Sequence, residues 1–174
     1  MMKTRNKILI GVAIVGLIFV LRKPIERAVW DLISQQRINT LHPDIRERAK
    51  AFINKAEREG IKLRVTDATR TFDEQDALYA QGRTTPGDIV TDARAGFSYH
   101  NYGLAIDVVE MVNGQPIYNN PNWQRIGEIG ESFGFSWGAS FNDKPHFHMT
   151  FGNSIADLQR KLTNEMVQEG FVIV

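Results

Sequence analysis

The chain has 174 residues, enough for one domain with a substantial core plus an appendage. Its 21 Lys and Arg stand against 20 Asp and Glu, a net charge of +1, so there is no basic excess to hold nucleic acid. It contains no cysteine, which excludes disulfides and thiolate chemistry.

Lys3, Arg5 and Lys7 precede an uncharged apolar run over residues 8–21, closed by Arg22-Lys23-Pro24. A basic segment followed by an apolar run is the pattern of an export signal or a membrane anchor. The run is about 14 residues long, ~21 Å as a helix, against a hydrocarbon core of ~30 Å. Snorkelling by Lys7 and Arg22 covers part of the difference. No small-x-small site follows, so an uncleaved anchor is expected. Basic residues on both sides leave its orientation undecided by charge. Residues 25–37 then place Ile25, Val29, Leu32 and Ile33 on one helical face, a pattern for a helix that lies on the bilayer or packs on the domain. Residues 39–43 break it, dividing the chain into an N-terminal anchor with its amphipathic helix, 1–39, and a domain, 40–174.

Within the domain, His42 precedes Pro43 and reads as an exposed or capping residue. Ile45, Ala49, Phe52, Ile53 and Ala56 stripe a helix over 43–59, which Gly60 ends. Residues 63–67 suit a strand, and 73–81 a helix N-capped by Thr71 or Asp73. The Gly- and Pro-containing stretch 82–99 is a long loop, of the kind that often carries function. From Gly103 to Val112 the chain alternates as a strand, with Ala105, Asp107 and Val109 on one face and Leu104, Ile106 and Val108 on the other. Asn113-Gly114 signals a hairpin turn, with a return strand over 115–118. A helix over 122–133 turns Trp123, Ile126, Ile129 and Phe133 inward, and 135–137 suits a short strand. Residues 146–151 alternate again, Phe147, Met149 and Phe151 pointing one way and His146, His148 and Thr150 the other. Ser154 caps a last helix striped by Ile155, Leu158, Leu162 and Met166, and 171–174 suits an edge strand.

Three of the four histidines fall in two short segments, Ser98-Tyr-His-Asn-Tyr-Gly-Leu-Ala-Ile-Asp107 and Asp143-Lys-Pro-His-Phe-His148. Two His and one Asp with an open fourth position suit catalytic zinc, and a further carboxylate nearby is a candidate general base. An Asp inside an apolar strand needs a partner, and a metal is one. Spacing alone leaves other readings open. A histidine such as His100 is often just partly buried, an Asp before Lys-Pro is often a turn residue, and an Arg at a strand end is often a surface ion-pair partner.

These segments resemble the zinc D-alanyl-D-alanine carboxypeptidases and L-alanyl-D-glutamate endopeptidases of bacterial cell walls and phage endolysins. Ser98, His100, Gly103, Ala105 and Asp107 complete that family's Ser-x-His-x-x-Gly-x-Ala-x-Asp motif, and Asp143-Lys-Pro-His146-Phe its second. Thr69-Arg70-Thr71 with Glu74-Gln75 looks like its Arg-containing motif, and Tyr79-Ala-Gln-Gly-Arg-Thr84 looks most like the endopeptidase branch. The resemblance covers roughly residues 40–152. It implies one Zn2+ held by His100, Asp107 and His146, Asp143 as the catalytic base, and Arg70 for an oxyanion or a substrate carboxylate. It leaves Gln75 to orient Arg70 or the substrate, Ser98 to contact substrate or cap the loop, and His148 as a substrate-facing group beside the ligands. In the related lysostaphin-type enzymes a His-x-His pair supplies one catalytic histidine and one ligand. That pattern would make His148 the ligand, but the Asp143-x-x-His146 spacing favours His146.

The resemblance implies an α+β fold: a small, mainly antiparallel sheet with helices packed on one face and a zinc cleft on the other. It implies a metallopeptidase acting on peptidoglycan stem peptides, most of all at the L-Ala–D-Glu bond. The alternatives are a D-Ala–D-Ala carboxypeptidase or dipeptidase, and a non-catalytic zinc-containing binding module. A monomer is expected, anchored in the cytoplasmic membrane through residues 8–21 with its domain facing the periplasm or wall.

Overall fold

The computed structural model describes residues 31–174. The expected anchor over 8–21 lies outside the described residues, and no helix among those described is long and apolar enough to cross a membrane. The centre is an antiparallel sheet of β1 (Leu63–Asp67), β2 (Ala105–Val112), β3 (Gln115–Ile117), β4 (Ser136–Trp137) and β5 (His146–His148). Its order is β1-β2-β5-β4, and β3 and β5 share one edge of β2, β3 on residues 110–112 and β5 on 105–107. The turn that makes the β2–β3 hairpin has positive φ at both Asn113 and Gly114, as a two-residue hairpin turn requires. Five α-helices flank it among the described residues: α1 (residues 31–40), α2 (Pro43–Arg58), α3 (Phe72–Ala80), α4 (Trp123–Ser132) and α5 (Ile155–Thr163).

The period-2 pattern of β2 and β5 decides which face is which. Ile106, Val108 and Phe147 are fully buried and join one core with Ile45, Ala49 and Phe52 of α2 and Ile126 and Ile129 of α4. Two glycines let α4 come close. A Cβ on Gly130 would meet the Phe147 ring at 2.5 Å, and one on Gly127 would meet the Trp137 ring at 2.3 Å. Each glycine in a helix interior costs about 1 kcal/mol relative to alanine. Here that cost is set against a helix lying directly on two aromatic rings, with Phe52 packed on Phe147 at 4.9 Å between centroids. The helices do not all share this face: α3 and α5 border the cleft side, where Gln75 reaches Arg70 and Ile155 lines the cleft.

Of the two placements open to the amphipathic segment before Pro43, residues 31–40 take the domain. Ser34 Oγ accepts from Val65 N, Arg37 Nη1 donates to Val65 O, and Ile38 enters the core. The helix runs through residue 40 and rotates so that Ser34 and Ile38 are buried while Leu32 is left 66% exposed. Hydrogen bonds to the β1 edge set this rotation, and an apolar-stripe reading does not see them. His42 caps α2, accepting from Asp44 N, but is buried rather than exposed, because its Nε2 also donates to Val172 O.

Three other expectations change. The β5 strand stops at His148, and Phe151 is exposed at positive φ in a turn, so only Phe147 and Met149 of that stripe are buried. Of the last helix's stripe Leu158 is buried, whereas α5 ends at Thr163 and leaves Leu162 and Met166 exposed. Phe171–Val172 forms a strand, but as β7 of a separate hairpin with β6 (Val167–Gln168) rather than an edge of the main sheet.

Candidate active site

The opposite face of β2 and β5 carries the polar residues. In the β2–β5 register Asp107 lies across from His146, and in the β1–β2 register Asp67 lies across from Asp107. His100 arrives from a 3-10 turn, Tyr99–Tyr102, capped by Ser98 Oγ, which accepts from His100 N. The three side chains meet in a near-equilateral triangle. His100 Nε2 lies 3.2 Å from His146 Nδ1 and 3.3 Å from Asp107 Oδ1, and His146 Nδ1 lies 3.2 Å from Asp107 Oδ1.

The protons decide what such a triangle can do. His100 Nδ1–H donates to the Ala68 carbonyl, so the neutral ring presents a lone pair at Nε2. Lone pairs of His100, His146 and Asp107 therefore converge on one point, which a shared cation would satisfy. The dimensions agree. A triangle of that edge is one face of a tetrahedron whose centre lies ~2.0 Å from each corner, the length of a zinc–nitrogen or zinc–oxygen bond. Among the described residues, His100, Asp107 and His146 are the group whose ligand atoms gather closely enough to hold a metal. Burial alone would raise the Asp107 pKa, but the two histidine rings beside it outweigh that and hold the carboxyl well below the usual carboxylate range, so it offers an anionic oxygen.

Arg70 stands behind this triangle. Its Nε donates to Asp67 Oδ2, its Nη1 to Gln75 Oε1 at 2.9 Å, and its Nη2 to Asp107 Oδ2 at 3.2 Å. The guanidinium thus fixes the outer oxygen of Asp107 and leaves Oδ1 aimed at the histidines. Three of its five N–H groups are used in this way. Gln75 is fully buried; besides accepting from Arg70 it donates to Ala93 O at 2.8 Å, so it orients Arg70 and does not face the cleft. Asp67, which the motifs do not mark, is the residue that sequence reasoning missed. Its only signal is an Asp ending a short strand three positions before an Arg.

Asp143 sits at the rim of the same cleft. It is exposed, yet the protein packed around its carboxyl, followed by the nearby Asp107 charge, raises its pKa. Its backbone is fixed by Asp143 N donating to Gly138 O and by His146 N donating to Asp143 O. Gly138 is a second residue that the motifs do not mark: a Cβ there would lie 2.4 Å from Asp143 O and 3.0 Å from His146 Cβ. His148 lies outside the triangle. Its ring stacks on Tyr99 at 4.5 Å, and its Nδ1 is buried with no hydrogen-bond partner among the described residues. Burial, then the neighbouring histidines, lowers its pKa to about 4, so it is neutral at neutral pH.

The cleft has a volume of ≈ 420 Å³. One wall is the loop after α3, fastened by side chains of the Tyr-Ala-Gln-Gly-Arg-Thr stretch. Arg83 donates to Tyr79 O and Thr91 O, pairs with Asp92 at 2.6 Å and lies over the Tyr79 ring at 4.1 Å. This stretch therefore builds the cleft wall and contributes no reacting group.

A family model described as VanY, D-alanyl-D-alanine carboxypeptidase, matches residues 38–151. The chain is 43% identical over 122 residues to the peptidoglycan L-alanyl-D-glutamate endopeptidase CwlK of Bacillus subtilis (strain 168), spanning 63% of this chain and 73% of that protein. Its fold is similar to that of the L-Ala D-Glu endopeptidase ChiX of Serratia marcescens, with a TM-score of 0.50 and 22% identity over 68% of this chain and 86% of the other. It is also similar to a variant of the vancomycin-resistance D,D-pentapeptidase VanY in complex with Zn(II), with a TM-score of 0.50 and 18% identity over 63% and 72% of the two chains. At those identities the two solved structures speak for the fold alone.

Proposed function

The chain belongs to the VanY family of D-alanyl-D-alanine carboxypeptidases, and from that premise we propose that it is a zinc peptidase of peptidoglycan stem peptides that hydrolyses the L-Ala–D-Glu bond. The observation that carries the reading is the triangle of His100, Asp107 and His146, with Asp143 at the rim of the same cleft. One zinc ion fits the donor set by chemistry and by dimension. When bound, it lowers the pKa of water towards ~7 and polarises a carbonyl. The protein's own groups do the rest. Asp143 takes the proton of the attacking water and passes it to the leaving amine nitrogen as the peptide C–N bond breaks. Arg70, through Asp67 and Gln75, holds Asp107 in the orientation that presents Oδ1. Ser98 sets the turn that delivers His100.

Two observations favour the endopeptidase over the carboxypeptidase. The first is the 43% identity to CwlK. The second is that a carboxypeptidase must recognise a terminal carboxylate, while Arg70 is, among the described residues, the one Lys or Arg lining the cleft and has three of its five donors committed to Asp67, Gln75 and Asp107. A non-catalytic zinc module would have no use for a base such as Asp143 beside the metal ligands. The substrate lies outside the cytoplasmic membrane, so the domain is expected to work there, held by residues 8–21.

The test is mass spectrometry of purified muropeptides incubated with the zinc-loaded protein. Release of the stem from D-Glu onward, abolished by a chelator and restored by zinc, is the expected result. Loss of a terminal D-Ala alone would make the enzyme a carboxypeptidase, and no product with one zinc bound would leave a binding module.

A further inference from the structure

The mechanism uses the floor of the cleft and Asp143 at its rim, and leaves the apolar part of the rim unexplained. Four large apolar side chains line the cleft and are nonetheless exposed: Val90 at 55%, Phe97 at 59%, Tyr118 at 66% and Phe141 at 55%. Exposed apolar groups gathered round one opening mark a binding surface. Each aromatic ring stands on a separately fixed turn. Phe97 N donates to Arg94 O, Tyr118 O accepts from the Trp123 indole at 2.9 Å, and Phe141 ends the 3-10 turn Gly138–Phe141 with its ring 5.7 Å from that of His146. The backbone under each ring is thus held in place, and the Phe141 ring lies beside His146.

The chemistry of this rim selects an occupant. Among the described residues the Lys or Arg that lines the cleft is Arg70, with three of its five N–H groups given to Asp67, Gln75 and Asp107, and the charge at the rim is the carboxylate of Asp143. An anionic group at the rim would meet the Asp143 carboxylate. Alanine methyls need a small socket rather than three broad rings. A neutral ligand with flat C–H faces and a polar edge fits, because aromatic faces attract polarised C–H groups while the hydroxyls stay in water. A pyranose has that form. In peptidoglycan the L-Ala end of the stem is attached to the glycan, so an enzyme cutting after L-Ala holds a sugar about one residue from its metal. Resting on the endopeptidase reading above, we infer that Phe97, Tyr118 and Phe141 form a platform for the amino-sugar ring attached to the stem peptide, and that the enzyme prefers glycan-linked over free stems.

Two probes separate this from the underlying reading: the disaccharide-linked stem peptide, and the same peptide after an amidase has removed the sugar. The expected result is a kcat/KM roughly tenfold higher for the linked form. Phe97→Ala and Tyr118→Ala should each abolish most of that preference, and Phe97→Tyr should keep it. Equal rates on the two probes would overturn the platform while the endopeptidase reading stood. Alanine variants that weaken both probes alike would also overturn it, because the rings would then be holding the peptide. Cleavage of neither probe by the zinc-loaded protein would sink the platform and the endopeptidase reading together.

Discussion

The two faces of the central sheet are built from the same strands one residue apart, and they are held by opposite means. On one face Ile106 and Phe147 are sealed by α2 and α4, and every contact is satisfied by the protein itself. On the other, Asp107 and His146 sit at the neighbouring positions and converge with His100 on a point where three lone pairs meet. The first face is complete without a ligand; the second gathers three donors that a cation would satisfy. A residue's place in the pleat therefore decides whether it contributes stability or chemistry, and substitutions one position apart should separate the two.

The largest effect belongs to the polar face. Asp107→Ala or His146→Ala should abolish zinc retention, measured as metal per protein after gel filtration, and with it peptidase activity. The fold should survive, because the apolar face is untouched, and circular dichroism of the variants should match the parent. His148→Ala should keep its zinc, since its ring stacks on Tyr99 outside the triangle. Zinc lost from that variant but kept by His146→Ala would exchange the two roles.

The mirror experiment is Phe147→Ala. It removes a fully buried ring packed against Phe52 and Gly130 and should cost about 3–5 kcal/mol of stability. The denaturant midpoint should fall with and without zinc. A variant as stable as the parent would mean that the apolar face is not what holds the sheet.

Next comes the base. Asp143→Asn should leave zinc bound and lower turnover by about 10²–10⁴-fold. Gly138→Ala should lower turnover in the same direction, because its Cβ would press on Asp143 O and His146 Cβ. Normal turnover in Asp143→Asn would return that residue to the role of a turn.

These predictions follow the line between what the sequence could and could not announce. The alternation of β2 and β5 was readable, and so were the ligand motifs, because both are local and periodic. Ser154 as a cap was readable for the same reason, and Thr71 as one of two candidates with Asp73; each forms a capping box with the residue three positions on. Asp67 and Gly138 were not, because no motif or periodicity marks them: their partners lie only three to eight positions on, and their roles show only in the folded geometry. Asp67 matters through Arg70, and Gly138 through the close approach of Asp143 and His146. The rotation of α1 was hidden likewise: hydrogen bonds to the β1 edge override the apolar stripe that would bury Leu32. A short strand also reads too long when alternation happens to continue, as it does from His148 to Phe151.

The smallest effect tests whether the helical face depends on charge at all. Glu59, just beyond α2, is joined to Arg125 of α4 by two hydrogen bonds of 2.7 and 2.8 Å, and Lys55 lies 2.7 Å away. Arg125 first, then Lys55, lowers the Glu59 pKa to about 2. A carboxyl whose folded pKa lies below its unfolded value of ~4.3 stabilises the fold above that value and loses the contribution as pH falls towards the folded pKa. Glu59→Gln should therefore lower the urea midpoint slightly at pH 6, and the gap from the parent should close between pH 4.5 and pH 2. Acid effects on other carboxyls cancel, because both proteins share them. The gap should stay small at every pH, since exposed ion pairs are screened by water. A large difference at pH 6 would show that the link between α2 and α4 rests on this ion pair more than on the core, and the contrast between the two faces would weaken. A difference that did not change with pH would mean that Glu59 acts through packing rather than charge.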